Sequence, residues 1–343
     1  MPWQWRNAKI IPLKKAGKDD YGMAKSWRPI SLLSTLGKVL QSIMAERLSY
    51  YAEQFGLLPT NHFGARKQRS TEDALVLLQD KIYEAWRNGK VLSLVSFDVK
   101  GAFNGDLKER QLQRLTARGV PELMVDWFDA LCSERTATIQ VNGHTSPRRV
   151  IEHPGLPQGG PPSSMLYGFF NADLVQTKID SKGGAIAFVD DYSAWVVGDS
   201  AEANRAGLES IVEKALAWES RSGTTFQGEK TMLVHFTRNR KKSDDTPLII
   251  KGQSIKPTND AKILAVIMDP ELRFEKQMAN TAARSLKAAM ALRRLRTLKP
   301  ETSRQLYAAT VAPIMDYATV VWKHQMGEKA LTCLLYTSPS PRD

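Results

Sequence analysis

Three aspartates in this chain stand where an apolar run stops. Residues 91–97 form a run of strand length that ends at Asp98, and two further runs, 185–189 and 192–197, flank Asp190-Asp191. A strand delivering a carboxylate at its end, beside a hairpin with two more at its turn, would gather acidic oxygens at one sheet edge. Two-metal phosphoryl transfer needs such a cluster, because ions about 4 Å apart stabilise both the attacking and the leaving oxygen. Mg²⁺ takes oxygen ligands and retains several waters, which suits a site without dedicated His or Cys, and Mn²⁺ is the other cation such a site would take. An Asp pair at a turn, taken alone, is most often a solvated hairpin tip.

The elements that must position these carboxylates follow from hydrophobic period. Leu36, Val39, Leu40, Ile43, Met44 and Leu48 recur at helical spacing, and residues 71–86 repeat the pattern. Helices are expected over 107–118, 122–134, after Pro161-Pro162, over 201–220, and over 301–312 up to Pro313. A hairpin is expected where 136–141 meets Asn142-Gly143, and strands near 232–236, 248–251 and 263–268. Residues 278–298 read as a basic helix carrying Arg284, Lys287, Arg293, Arg294 and Arg296, whose ordinary role would be a solvated face. Trp195 and Trp218 read as core. The class is α+β.

The 343 residues, 42% hydrophobic and 24% charged, suffice for one multi-lobed unit or two domains. A formal charge of +12 favours a polyanionic partner. Cys132 and Cys333 lack the spacing of a disulfide framework or zinc site, which suits a reducing compartment. No apolar run reaches the roughly 18 residues that cross a bilayer, so no membrane partner is expected. The start, Met1-Pro2-Trp3-Gln4-Trp5-Arg6, reads as a domain entered part-way rather than a signal peptide. Residues 332–343 resemble a translated sequencing adapter and are expected to stand outside the fold.

Phe97-Asp98-Val99-Lys100-Gly101-Ala102-Phe103, Gly155-Leu156-Pro157-Gln158-Gly159 and Phe188-Val189-Asp190-Asp191 resemble, in order, motifs A, B and C of reverse transcriptases. Trp27 to Leu33 and Phe63 to Thr71 resemble the fingers motifs of the non-LTR type, Thr225 to Thr231 motif D, Lys262 to Phe274 motif E, and Tyr307 to Trp322 the thumb signature. The resemblance covers about Trp5 to Trp322, and the stretch from Asp98 to Arg238 is most similar to fungal elements. Departures are Gly160-Pro161-Pro162-Ser163-Ser164 at the start of the motif B helix, Val189 for Ala, Asp106 for an apolar residue, and Ala265 for the Gly of motif E.

The resemblance implies a right-handed polymerase: fingers over 1–90 with later interleaved segments, a palm over 91–275 and a thumb over 276–331. It implies an enzyme adding deoxynucleoside triphosphates to the 3′-hydroxyl of a DNA primer, or of nicked target DNA, on an RNA template, with two Mg²⁺ held by Asp98, Asp190 and Asp191. Lys230 would protonate or neutralise the pyrophosphate leaving group. Arg28 and one of the lysines Lys14 and Lys15 would grip the triphosphate. Gln158 and Gly159 would meet the incoming nucleotide, and Phe103 would reject a 2′-hydroxyl unless it is a plain core aromatic. Arg66, Arg69, Arg284, Arg293, Arg294 and Arg296 would follow the template-primer. Work would be nuclear, after cytoplasmic ribonucleoprotein assembly. The rivals are a silent nucleic-acid-binding remnant of a degenerate element and a maturase or telomerase relative, the latter opposed by the thumb signature.

Overall fold

The computed structural model describes residues 1–101, 103, 108–152, 155–179, 183–295 and 298–325. Arg296, Asp106 and the 332–343 tail lie outside the described residues. The chain opens with β1 (Asn7–Lys14), β2 (Trp27–Leu32), α1 (Thr35–Gln54) and α2 (Thr71–Arg87). Next come β3 (Val91–Phe97), α3 (Lys108–Ala117), α4 (Glu122–Cys132), β4 (Thr136–Val141), β5 (His144–Thr145), β6 (Arg149–Val150) and α5 (Ser163–Val175). They are followed by β7 (Gly184–Phe188), β8 (Asp191–Gly198), α6 (Arg205–Ser222), β9 (Met232–Phe236), and the short pairs β10 (Leu248–Ile250) with β11 (Gln253–Ile255) and β12 (Ala261–Ile263) with β13 (Val266–Met268). The chain then runs through α7 (Glu275–Arg293), α8 (Pro300–Thr310), α9 (Ala312–Asp316) and α10 (Thr319–Trp322).

The central sheet is antiparallel in the order β7-β8-β3-β9. β3 is apolar nearly throughout because both faces of this sheet are covered. Successive side chains alternate between two cores: Val95 and Phe97 pack with residues of α5 and α6, Leu92 and Leu94 with residues of α2 and with Trp322 of α10. Trp218 and Trp195 fall one in each core, as core residues. A second sheet, β2-β1-β4-β5 with β6 on β4, pairs β1 and β4 in parallel. Among the described residues no helix is long and apolar enough to cross a membrane.

α1 forms as its spacing indicates, with part of its apolar stripe buried: Met44 and Leu48 lie in the core beside Gly37, Gln41 and Ala52, while Leu36, Val39 and Ile43 face solvent. Two expectations need correction. Residues 263–268 are not one strand but the β12–β13 hairpin, turned at Leu264 and Ala265, both with positive φ (44° and 66°). Pro313 does not end a helix but sits in the first turn of α9, where its missing N–H costs nothing.

Candidate active site

Antiparallel register assembles the acidic edge. Phe97 at the end of β3 pairs with Tyr192 of β8, and Phe188 of β7 pairs with Asp191, so Asp98 leaves the sheet beside the Val189-Asp190 turn. Val189 has φ +57°, a conformation a β-branched side chain rarely adopts and worth about 1–3 kcal/mol of strain. Burial, then the charge of Asp98, holds the Asp190 carboxyl above the ordinary range. Packing around the Asp191 carboxyl, then the charges of Asp190 and Asp98, push it up to about 6, although the residue as a whole is exposed at the hairpin tip.

Lys230 answers this charge. Its ammonium donates to Asp98 Oδ2 at 2.9 Å, and the Asp98 carbonyl accepts from Gln227 N–H at 2.9 Å, so the 225–230 segment closes on the end of β3. The carboxylates do not converge into a finished cage: among the described residues no group of three or more His, Cys, Asp or Glu side chains is arranged to hold a metal ion. Like charges repel, and Asp98 is turned to Lys230 instead. The donor set nonetheless fits a hard divalent cation, since it is all carboxylate oxygen and carries mutual repulsion that a dication would relieve.

A cleft of about 590 Å³ opens beside this edge, lined among others by Asp98, Asp191, Lys230, Lys262, Leu264 and Ala265. Lys262 was not singled out in the sequence for this role; its signal was its place in the motif E stretch.

The motif B turn is wedged between β2 and α1. Ser31 N–H donates to the Gln158 carbonyl at 3.0 Å, Gly159 has φ +108°, and a Cβ there would come within 3.3 Å of the Ser31 carbonyl. Gly160 is tighter still, since a Cβ would meet Ser163 Oγ at 2.9 Å and Gln41 Oε1 at 3.2 Å. Despite its unusual sequence the motif B helix forms, starting at Ser163 with Pro162 as its cap.

Of the expected triphosphate cations, Lys15 and Arg28 join the site's field. Burial, followed by Lys230, Arg28 and Lys18, lowers the Lys15 pKa, while Asp98 opposes them. Lys14 is drawn aside, its ammonium 5.0 Å from the Tyr21 ring centroid and 5.7 Å from that of Trp27. The half-buried Phe103 ring packs at 5.7 Å against Tyr167 of α5.

Arg66 is not arranged to receive nucleic acid. Arg66 is buried in a two-toothed pair with Glu53 at 2.7 Å, and its remaining N–H groups reach the carbonyls of Pro59 and His62. Arg69 donates to the Thr60 carbonyl and lies over the Phe63 ring. Arg66 is thereby used up by Glu53 and its own loop, whereas Arg69, half-buried, gives one N–H to that loop. Arg284, Arg293 and Arg294 are exposed on or just beyond α7. Arg293, nine positions beyond Arg284, is about half a turn out of phase with it, whereas Arg294, ten positions on, follows it to within about 80°.

The family model for "Reverse transcriptase (RNA-dependent DNA polymerase)" matches residues 13–288. The chain is 26% identical over 331 residues to "Probable RNA-directed DNA polymerase from transposon BS" of Drosophila melanogaster, covering 94% of this chain and 36% of that protein. It is 26% identical to "RNA-directed DNA polymerase from mobile element jockey" of the same fly, over 81% of this chain and 30% of the relative. The "Retrovirus-related Pol polyprotein from type-1 retrotransposable element R2" of Popillia japonica is 30% identical over 48% of this chain and 22% of its own length. The chain thus spans about a third of the length of the curated relatives it matches over most of its length. Among solved structures, apo telomerase from Candida tropicalis superposes with a TM-score of 0.53 at 12% identity, covering 98% of this chain and 61% of that one. The fold is that of a right-handed polymerase.

Proposed function

The chain belongs to the reverse transcriptase (RNA-dependent DNA polymerase) family, and from that premise we propose that it adds deoxynucleotides to a primer 3′-hydroxyl on an RNA template. The observation that carries this reading is the register that sets Asp98 beside Asp190-Asp191, with Lys15, Arg28 and Lys230 supplying positive charge around that edge. Proteins of this family generally use divalent metal ions; here Asp98, Asp190 and Asp191 would hold two Mg²⁺, with Mn²⁺ as a substitute. Bound there, the ions would stabilise the attacking and leaving oxygens of the transfer. Lys15 and Arg28 bind the triphosphate, Gln158 and Gly159 shape the nucleotide pocket, and Lys230 neutralises the departing pyrophosphate. Phe103 excludes the ribose 2′-hydroxyl.

The same reading divides the chain into fingers (1–90), palm (91–275) and thumb (276–331). It gives the protein an RNA template, deoxynucleoside triphosphates and a nicked target strand as partners, a nuclear workplace, and a role in target-primed retrotransposition. The relatives named above are insect elements of the non-LTR kind; a fungal source is a proposal supported by the stretch between Asp98 and Arg238. Primer extension on an RNA template tests the whole. Asp98→Asn or Asp190→Asn should abolish extension and leave template-primer binding intact, since a lost ligand costs several kcal/mol of barrier and each 1.4 is about tenfold. A wild-type chain that binds but never extends would instead be the silent remnant.

A further inference from the structure

The turn that presents Asp190 is held from behind by two residues that never face the cleft. The segment 61–63 runs beside β7: Phe63 N–H donates to the Ala187 carbonyl at 2.8 Å, Ala187 N–H to the Asn61 carbonyl at 3.1 Å, and Asn61 Nδ2 to the Ala185 carbonyl at 2.8 Å. This places His62, 0% exposed, against α5, where its Nε2 lies 3.1 Å from Asn171 Oδ1. Asn171, 2% exposed, then donates from Nδ2 to the Val189 carbonyl at 2.7 Å.

The polarity of this chain is forced. A backbone carbonyl can only accept, so the Asn171 amide must turn its NH₂ toward Val189 and its oxygen toward His62. His62 Nε2 must therefore carry the proton. Its Nδ1 is buried with no partner, which suits a neutral ring, and burial holds the imidazole pKa down to about 4. The Val189 carbonyl thus sets which way round the amide sits, and the N–H at His62 Nε2 anchors the amide's oxygen, so that its NH₂ stays on the carbonyl of the one strained residue in the turn.

We propose that Asn171, and through it His62, are positioning residues for polymerisation, holding Val189 in its left-handed conformation so that Asp190 and Asp191 point to the reacting centre. The assignment rests on the polymerase reading above. Neither residue touches substrate; both act through the turn. Partners of this kind are worth about 10- to 100-fold in activity when removed.

Asn171→Leu keeps the branching of the side chain, at a larger volume, and removes the donor; His62→Phe removes the N–H that anchors the amide oxygen; His62→Gln offers an N–H at a similar reach. Steady-state primer extension in Mg²⁺, filter binding of template-primer, and hydrogen–deuterium exchange over 187–192 are measured on each. Asn171→Leu should lower kcat roughly 10- to 100-fold while KM for the deoxynucleotide and Kd for template-primer stay within about twofold. Exchange should quicken at the turn and stay slow in β3 and α5. His62→Phe should give a smaller loss of the same kind, His62→Gln should recover most of it, and the double variant should cost no more than Asn171→Leu alone, because the two act in series. Additive losses, a loosening spread over the whole central sheet, or unchanged exchange at the turn would overturn the proposal. Exchange is read whether or not the wild-type chain extends primers, so a failure of the polymerase reading remains distinguishable from a failure of this one.

Discussion

Gly64 stands directly against Val189: a Cβ built on the glycine would fall 2.2 Å from the Val189 backbone nitrogen and 2.8 Å from the Phe188 carbonyl carbon. The loop that carries Arg66 and Arg69 is therefore a brace for the acidic hairpin, and its glycine marks the point where two backbones meet.

Gly64→Ala should displace the hairpin, because nothing at the contact is a flexible side-chain end. Overpacking of this kind costs about 1–3 kcal/mol, so Tm should fall by several degrees, at roughly 2–4 °C per kcal/mol for a chain of a few hundred residues. Primer extension should fall further than the stability loss explains. Calorimetry beside an extension assay at a temperature well below the variant's Tm separates the two, and a variant of unchanged activity would remove the brace from the argument.

Lys230→Met tests the ammonium on Asp98. The pair is about half exposed at Lys230, and exposed pairs are worth about 0–1 kcal/mol, so Tm should scarcely move. If Lys230 serves the leaving group, extension should drop about 10²- to 10⁴-fold, the range for a positioned general acid. Wild-type rates in the variant would reduce it to a counter-charge for Asp98.

His62 makes stability depend on pH. The unfolded chain takes up a proton on this imidazole near 6.5, whereas the folded chain waits until about 4. Between those values the unfolded state binds more protons, so stability is full above pH 6.5 and is lost as pH falls toward 4, by about 3 kcal/mol in all. Urea melts from pH 7.5 to 4.5 should show a steeper decline in the wild type than in His62→Gln; parallel curves would mean that the buried ring is already protonated or reaches solvent.

Phe103→Val decides between two fates for an aromatic that packs on Tyr167 while keeping an exposed side. As the barrier to ribose, its loss should raise ribonucleotide use relative to deoxynucleotide use by roughly thirty- to a hundredfold, equivalent to about 2–3 kcal/mol of relieved crowding. As a packing residue only, its loss should lower both together. The ratio of kcat/KM values for a matched nucleotide pair on one RNA template gives the answer.

Arg293→Gln with Arg294→Gln should weaken template-primer binding and flatten its salt dependence, each phosphate contact contributing about 0.7–0.9 to the log-log slope. Arg284→Gln, half a turn from Arg293 on α7, should do so independently of Arg293 or not at all. A slope unchanged in every variant would leave α7 a solvated surface.

Much of this protein is local in origin and legible in its sequence. Apolar runs of strand length ending at Asp98 and flanking Asp190-Asp191 specify where carboxylates leave a sheet, because a run buried on both faces admits only small hydroxyls that find partners inside, such as Ser93 and Ser193, until it reaches the edge. Asn142-Gly143 specifies a hairpin for an equally local reason: both residues accept positive φ (49° and 83°). The partners of buried polar groups were not legible. Nothing in the residues near Arg66 says that Glu53 and two carbonyls will consume its guanidinium, and nothing near Asn171 says that His62, 109 positions earlier, will orient its amide. Nor does the apolar stripe of α1 reveal that Gly37 and Gln41 make the buried contact while Leu36 stays in water. Periodicity along the chain reports which side chains prefer to leave water. Which hydrogen-bonding group meets which is decided only when strands and helices far apart in sequence are packed together, since every buried donor and acceptor must then find its partner across the fold.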